Sequence, residues 1–237
     1  MRDKKDFEKW YSKEDPWHFD NTLDDLVRRS ISLYHLREVF DQTKVQSILD
    51  AGCGAGYFTK DLANFFSGQI DAFDISENAI KYAKKKNFAE NINYYQLDLR
   101  DFQATKSYDL ITCEEALYYL DDEERIPAIK NFYDALNDEA YLKISVVCIG
   151  NTPHRAYFTL EEISTILTEN GFLIQSVIPS TVKKKYLLEK IFYKLFNNSQ
   201  IWVKLPFLIR YFVKRILSYP LNRCFQVSIL SKKHVSD

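Results

Sequence analysis

The stretch Ile48-Leu49-Asp50-Ala51-Gly52-Cys53-Gly54-Ala55-Gly56-Tyr57-Phe58-Thr59 decides the fold. A short apolar run ends in an acid, passes three alternating glycines and opens on a helical spacing. Glycines at 52, 54 and 56 let the backbone turn tightly and come close to a ligand. A dinucleotide fingerprint would put its third glycine at 57, where Tyr57 stands. Asp50 places a negative charge near a helix N-terminus, which disfavours phosphate and suits an ammonium. The turn therefore reads as a ligand cradle, but not one shaped for a pyrophosphate.

Working outward, apolar runs at 46–50, 69–74, 92–97, 108–113, 140–149, 172–178 and 225–230 read as strands. Helical spacing fills the intervals: 59–66, then 77–86 behind the N-cap Ser76, then Ile126, Ile129, Tyr133 and Leu136. Thr159-Leu160-Glu161-Glu162 reads as a capping box, and Gly171 closes the helix it opens. Such alternation predicts an α/β, doubly wound, mostly parallel sheet with helices on both faces. The layout expected is one domain over 1–237. It comprises an N-terminal helical lid (1–44), a ligand-binding core (45–182), an inserted helical arm (183–223), and a last strand with its tail (224–237).

Composition narrows the classes. With 46% hydrophobic and 27% charged residues, the 237-residue chain is globular and neither disordered nor fibrous. Its four cysteines form no CxxC pair, so no metal site or disulfide framework is expected. The charged first ten residues do not read as a signal peptide, and no run of 18 apolar residues exists. The expected location is cytoplasmic. A net charge of −1 hides an organisation: residues 1–182 carry −11 and residues 183–223 carry +9. In that arm Leu187, Leu188, Ile191, Phe192 and Leu195 share a helical face, with Lys184, Lys185, Lys190 and Lys194 largely elsewhere. The face either packs on the core or a second subunit, or docks peripherally on the inner face of an anionic membrane. The acidic body disfavours nucleic acid, whose phosphates need distributed positive charge.

Ligands of doubly wound sheets bind beyond the carboxyl ends of the strands. Asp74 closes the second strand 22 residues past Gly52, where a carboxylate accepts from both hydroxyls of a ribose. Asp98, after the third strand, stands where it can accept from an exocyclic amine of adenine. Together with the turn, these residues resemble the motifs of class I S-adenosylmethionine-dependent methyltransferases. Asp50-Ala51-Gly52-Cys53-Gly54-Ala55-Gly56 looks like their first motif, and Phe73-Asp74-Ile75-Ser76 like their ribose motif. The resemblance implies S-adenosyl-L-methionine as cofactor and a seven-stranded sheet whose last strand is antiparallel. It also implies Gly52 and Gly54 at the methionine part, Asp74 at the ribose, and Asp98 with Leu99 at the adenine. Asp50, Cys53, Ile75 and Cys113 stand at the same strand ends and complete the expected cofactor set.

Within that superfamily, Glu115-Ala116-Leu117-Tyr118-Tyr119-Leu120 and Asp15-Pro16-Trp17-His18-Phe19 resemble stretches of the nodulation N-methyltransferases. Those relatives methylate a sugar amine on a chitooligosaccharide. Asp24-Asp25 stands where that family would show Tyr-Glu, and the basic arm is not part of its pattern. The expected reaction is methyl transfer to a nitrogen or oxygen of a small-molecule acceptor such as an amino sugar. Glu115 and His154 are candidate general bases, and Trp17, Tyr118 and Tyr119 candidate acceptor contacts. The alternatives are a lipid or amphiphilic acceptor met at a membrane surface, and a non-catalytic cofactor-binding or interaction module.

Overall fold

The computed structural model describes residues 3–16, 22–149, 157–182, 206–221 and 224–235. Two helices, α1 (Lys4–Trp10) and α2 (Leu23–Arg37), precede the core. The alternation then runs β1 (Ser47–Ala51), α3 (Tyr57–Phe65), β2 (Gln69–Asp74), α4 (Glu77–Lys86), β3 (Ile92–Gln96) and β4 (Tyr108–Glu114). It continues through α5 (Asp122–Ala135), β5 (Leu136–Val147), α6 (Leu160–Glu169), β6 (Phe172–Val182), α7 (Pro206–Leu217) and β7 (Cys224–Lys233). The seven strands form one sheet in the order β3-β2-β1-β4-β5-β7-β6. β7 lies antiparallel between β5 and β6, and the other pairings are parallel. This is the expected doubly wound class with its reversed last strand.

Strand parity sorts the side chains into two layers. Leu49, Ala51, Ile111, Cys113, Leu142, Ile144, Val146, Val227 and Ile229 pack with Ala128, Ile129 and Phe132 of α5 and Ile163 and Leu167 of α6. On the opposite face, Ile48, Ile70, Ala72 and Leu110 meet Phe58, Leu62 and Phe65 of α3, Ile80 and Ala83 of α4, and Leu36 of α2. The second face is not apolar throughout. Asp50, Thr112, Lys143, Ser145 and Ser228 are buried at the alternate strand positions.

Three strands are longer than their apolar runs suggested. β5 starts at Leu136 rather than 140, because Leu136 pairs with Tyr108 across an irregularity between Tyr108 and Leu110. β6 extends past 178 to Val182 through irregularities on either side of Thr181, and Pro179 is tolerated because β6 is an edge strand. β7 spans Cys224–Lys233 instead of 225–230.

In the described part of the basic arm, the apolar face packs on the core, the first of the two readings left open above. Phe212 and Ile216 of α7 are buried with Leu23, Val27 and Ile31 of α2, and Ile209, Val213 and Leu217 pack at the margin with Ile178 of β6. This face of α7 is therefore engaged with α2, and the face over 187–195 lies outside the described residues. Residues 183–205 lie outside the described segments, and among the described residues no helix is long and apolar enough to cross a membrane. If α7 is a structural element, Phe212→Ala should lower the unfolding free energy by about 3 kcal/mol in urea titrations, as for other buried phenylalanines. A change below about 0.5 kcal/mol would mean that the helix does not pack here.

Candidate active site

One cavity of about 320 Å³ opens at the carboxyl ends of β1, β2 and β4, within the size range of small-molecule sites. Its walls come from the glycine turn, from Asp74, Ile75, Asp98 and Leu99, from Glu114, Glu115, Ala116, Tyr118, Tyr119 and Leu120, and from Asp25, Arg28 and Arg29 of α2.

The glycine turn is built for close approach. Gly52 and Gly54 adopt φ angles of 76° and 55°, the left-handed region that penalises a Cβ. A Cβ on Gly52 would come 2.5 Å from Ala116 Cβ, and one on Gly54 2.5 Å from the Tyr11 hydroxyl. Asp74 ties the turn to β2. Its Oδ2 accepts from Gly54 N–H at 2.9 Å and its Oδ1 from Ser76 N–H at 2.9 Å. Each carboxylate oxygen thereby keeps lone-pair capacity for one further donor. Burial pushes this carboxyl up to about 6, against the two N–H groups that favour its charged form.

Asp50 sits deeper, 1% exposed, and accepts from Thr59 Oγ1 at 2.6 Å and Thr112 Oγ1 at 2.8 Å. Burial raises it to about 6 as well, opposed by the two hydroxyls. Asp98 is held by Arg100 at 2.9 Å and 3.0 Å from Nε, and Arg100 reaches on to Glu124. Burial acts to raise the Asp98 carboxyl, but Arg100 overrides it and lowers the value. Cys53 lines the cavity, with burial pushing its thiol well above the ordinary range. Cys113 differs from its expected place: it is fully buried in the α5–α6 core layer and is absent from the cavity wall.

Glu115 follows β4 with φ 57°, a left-handed conformation rare for a non-glycine residue. Its N–H donates to Ser145 O at 3.0 Å. Its carboxylate accepts from Ser145 Oγ on Oε1, and from Tyr118 OH (3.1 Å) and Gln226 Nε2 (2.5 Å) on Oε2. Burial and this carboxylate drive the Tyr118 phenol well above its ordinary value, so it remains a donor. Tyr119 lines the wall and packs edge-on against Phe7 of α1. Trp17 and His154 fall outside the described residues, and no role for either is drawn from the structure.

Two contributors were not legible in sequence. α2 supplies Asp25, which takes Arg28 at 2.5 Å and Arg29 at 2.7 Å, and Arg29 also reaches Asp61. Burial works against the charge of Arg28, yet Asp25, Glu115 and Glu114 hold it above its ordinary value. Further along the same helix, Ser32 donates to Glu114 Oε2 at 2.8 Å and accepts from Lys143 Nζ at 2.6 Å, while Lys143 also pairs with Glu114. His35 bridges Ser228 Oγ (2.8 Å) and Ser176 Oγ (2.6 Å), and burial beside Lys143 lowers it to about 3, keeping it neutral. A polar stripe at 25, 28, 32 and 35 is the signal that was available. The second contributor is Gln226 of β7, whose position in an antiparallel strand gave no local cue.

At the N-terminal side, α1 closes over the turn. Glu8 accepts from Glu77 N–H (2.5 Å) and Asn78 N–H (3.4 Å) at the start of α4. Tyr11, 4% exposed, packs with Ala55 and Ala79.

The residues present fit an S-adenosylmethionine-type group. The Asp74 carboxylate has room for two hydroxyl donors, the turn carries no Cβ at Gly52 and Gly54, and Phe73, Leu97 and Leu99 give an apolar wall beside Asp98.

Comparison with known proteins agrees. Residues 48–139 match the model of the family described as "Methyltransferase domain". Nodulation protein S of Sinorhizobium fredii is 30% identical over 131 residues, covering 54% of this chain and 59% of that protein. Malonyl-[acyl-carrier protein] O-methyltransferase 1 of Ilyobacter polytropus is 33% identical over 131 residues, covering 54% and 46%. The chain thus spans less than two thirds of the length of either relative. Among solved structures, the N-methyltransferase NodS of Bradyrhizobium japonicum WM9, in complex with S-adenosyl-l-homocysteine, superposes with a TM-score of 0.70 at 19% identity over 98% of both chains.

The raised Asp50 carboxyl has a consequence for stability. Its proton stays on in the folded chain at pH values where the unfolded chain has released it, so its contribution to stability falls as pH rises from about 4 to about 6. Asp50→Asn should flatten the unfolding free energy over that window in urea titrations at pH 4, 5, 6 and 7. A variant as pH-dependent as the parent contradicts the assignment. Residues 48–139 thus match a methyltransferase-domain family in sequence, and the chain has the Rossmann-like methyltransferase fold.

Proposed function

We propose that the protein is an S-adenosylmethionine-dependent methyltransferase that acts on a nitrogen or oxygen of a small-molecule acceptor bearing a hydrogen-bond donor, such as an amino sugar. One observation carries the reading: the glycine turn, Asp74, Asp98 and Glu115 line a single cavity. Asp74 would hold the ribose hydroxyls, Gly52 and Gly54 would admit the methionine part, and Asp98 with Leu99 would border the adenine. When bound, the cofactor supplies an electrophilic methyl group on a positively charged sulfur. The chain's own task is alignment, which is worth roughly 7–11 kcal/mol of a two-reactant barrier.

Glu115 is the residue placed to align the acceptor. A carboxylate offers about four acceptor sites, and three here are taken by Ser145, Tyr118 and Gln226. The site left on Oε1 can receive one N–H or O–H of the acceptor and then its proton. Asp25 is paired with Arg28 and Arg29 and Glu114 with Lys143, so the open acceptor site on Glu115 is what favours an acceptor that brings an N–H or O–H donor. α1, anchored by Glu8 and Tyr11, is suited to exclude water from the reacting atoms. Partners beyond a small-molecule acceptor, peripheral membrane contact included, carry no structural support in the described residues.

Two measurements test the reading. Asp74→Ala should weaken S-adenosylmethionine binding by about 2–3 kcal/mol in calorimetry through loss of charge-assisted hydrogen bonds. Unchanged affinity, or tight binding of NAD by the parent protein, overturns it. With radiolabelled methyl donor and a panel of amino sugars, hydroxylated metabolites, lipids and acyl-carrier carboxylates, label should enter the amine or hydroxyl compounds. On the best of these, Glu115→Gln should lower kcat by about 10²-fold while cofactor affinity is kept. Full activity would make Glu115 a structural residue only.

A further inference from the structure

Glu115 is held from far across the sheet. Gln226 of β7 donates Nε2–H to Glu115 Oε2, and its amide oxygen accepts from Thr181 Oγ1 of β6 at 2.8 Å. The carboxylate fixes which end of the amide faces it, because an inverted amide would set oxygen against oxygen there, and the Thr181 hydroxyl then donates to the amide oxygen left on the far side. Thr181 lies opposite Gln226, and the β6–β7 register shifts on both sides of it, between Pro179 and Thr181 and between Thr181 and Val182. Irregularities of this kind re-aim a side chain and cluster near functional sites. Ser180, within the same irregularity, keeps its hydroxyl buried without a hydrogen-bond partner among the described residues. Glu115 itself stands in a strained left-handed conformation. Two local departures from regular structure therefore meet at one hydrogen-bonded line.

We propose that Thr181 and Gln226 are positioning residues, which form a relay that sets the direction of the Glu115 carboxylate toward the acceptor. This rests on the reading of Glu115 given above and extends it to the last two strands. Without Gln226, Oε2 keeps only Tyr118, and a carboxylate pinned on one side by Ser145 gains freedom to rotate. Strain at a loop residue persists only where its surroundings over-determine it, and the relay is part of what does so here. Thr181 and Val182 end β6, directly before the basic arm begins at 183 in the chain. The carboxylate is thus referenced to the edge of the sheet that carries the arm.

The test needs no known acceptor in its first arm. Protein labelled with ¹³C at the glutamate carboxyl carbons gives a Glu115 resonance, assigned by its loss in Glu115→Gln. Gln226→Leu and Thr181→Val should each displace or broaden that resonance, and Thr181→Ser, which keeps the hydroxyl, should restore it. A folded Gln226→Leu or Thr181→Val protein with an unmoved resonance overturns the relay. The second arm measures methyl transfer to a glucosamine tetramer. Gln226→Leu and Thr181→Val should lower kcat at least about ten-fold with cofactor affinity unchanged, and Thr181→Ser should retain parental turnover. Parental protein that leaves the tetramer unmethylated counts against the amino-sugar reading, while the resonance still decides the relay.

Discussion

The ammonium of Lys143 is fully buried in the middle of the sheet, and much of the molecule is arranged around that fact. A buried charge is tolerated only when paired and hydrogen-bonded. Here Glu114 supplies the opposite charge and Ser32 a hydroxyl, so the strand β5, the end of β4 and the helix α2 are fixed to one another. Removing one partner of such a pair leaves an uncompensated charge, which costs far more than the intact pair contributes. The pair therefore specifies where α2 sits. Once α2 is placed, Asp25, Arg28 and Arg29 form a wall of the cavity, and His35 closes the far end of the same polar layer between β6 and β7.

From the other end, the glycine turn is fixed by carboxylates that pay no regard to secondary structure. Asp74 holds the turn to β2 through two backbone N–H groups, and Asp50 holds α3 and β4 through two threonine hydroxyls. Both carboxyls are raised toward about 6 by burial, so the ligand side of the sheet carries electrostatic strain before any ligand arrives. The cavity lies between these two anchored regions, and Glu115, itself in a strained conformation, projects from the strand end that joins them.

How much of this a sequence shows depends on whether the signal is local. The turn at 50–56, Asp74 at the end of β2, Asp98 after β3 and the capping box at Thr159 are each defined by spacing within a few residues, and the structure keeps them all. The polar layer was not legible because its members are distant in sequence. Leu142-Lys143-Ile144-Ser145-Val146 has the alternation of a strand with one face in water, yet that face is covered by α2. Likewise Asp25, Arg28, Ser32 and His35 look like the solvated side of an amphipathic helix until partners from β4, β5, β6 and β7 are in place. The apolar face of α7 shows the reverse: its basic and aromatic composition suits a membrane, and packing on α2 uses that face instead.

The most direct test of the account is a crystal structure of the protein with S-adenosylhomocysteine. The account predicts the ribose hydroxyls on Asp74, the adenine beside Asp98 and Leu99, and the Glu115 carboxylate facing the sulfur side of the cavity with Ser145, Tyr118 and Gln226 around it. A nucleoside bound away from Asp74, or a Glu115 carboxylate turned out of the cavity, would contradict it.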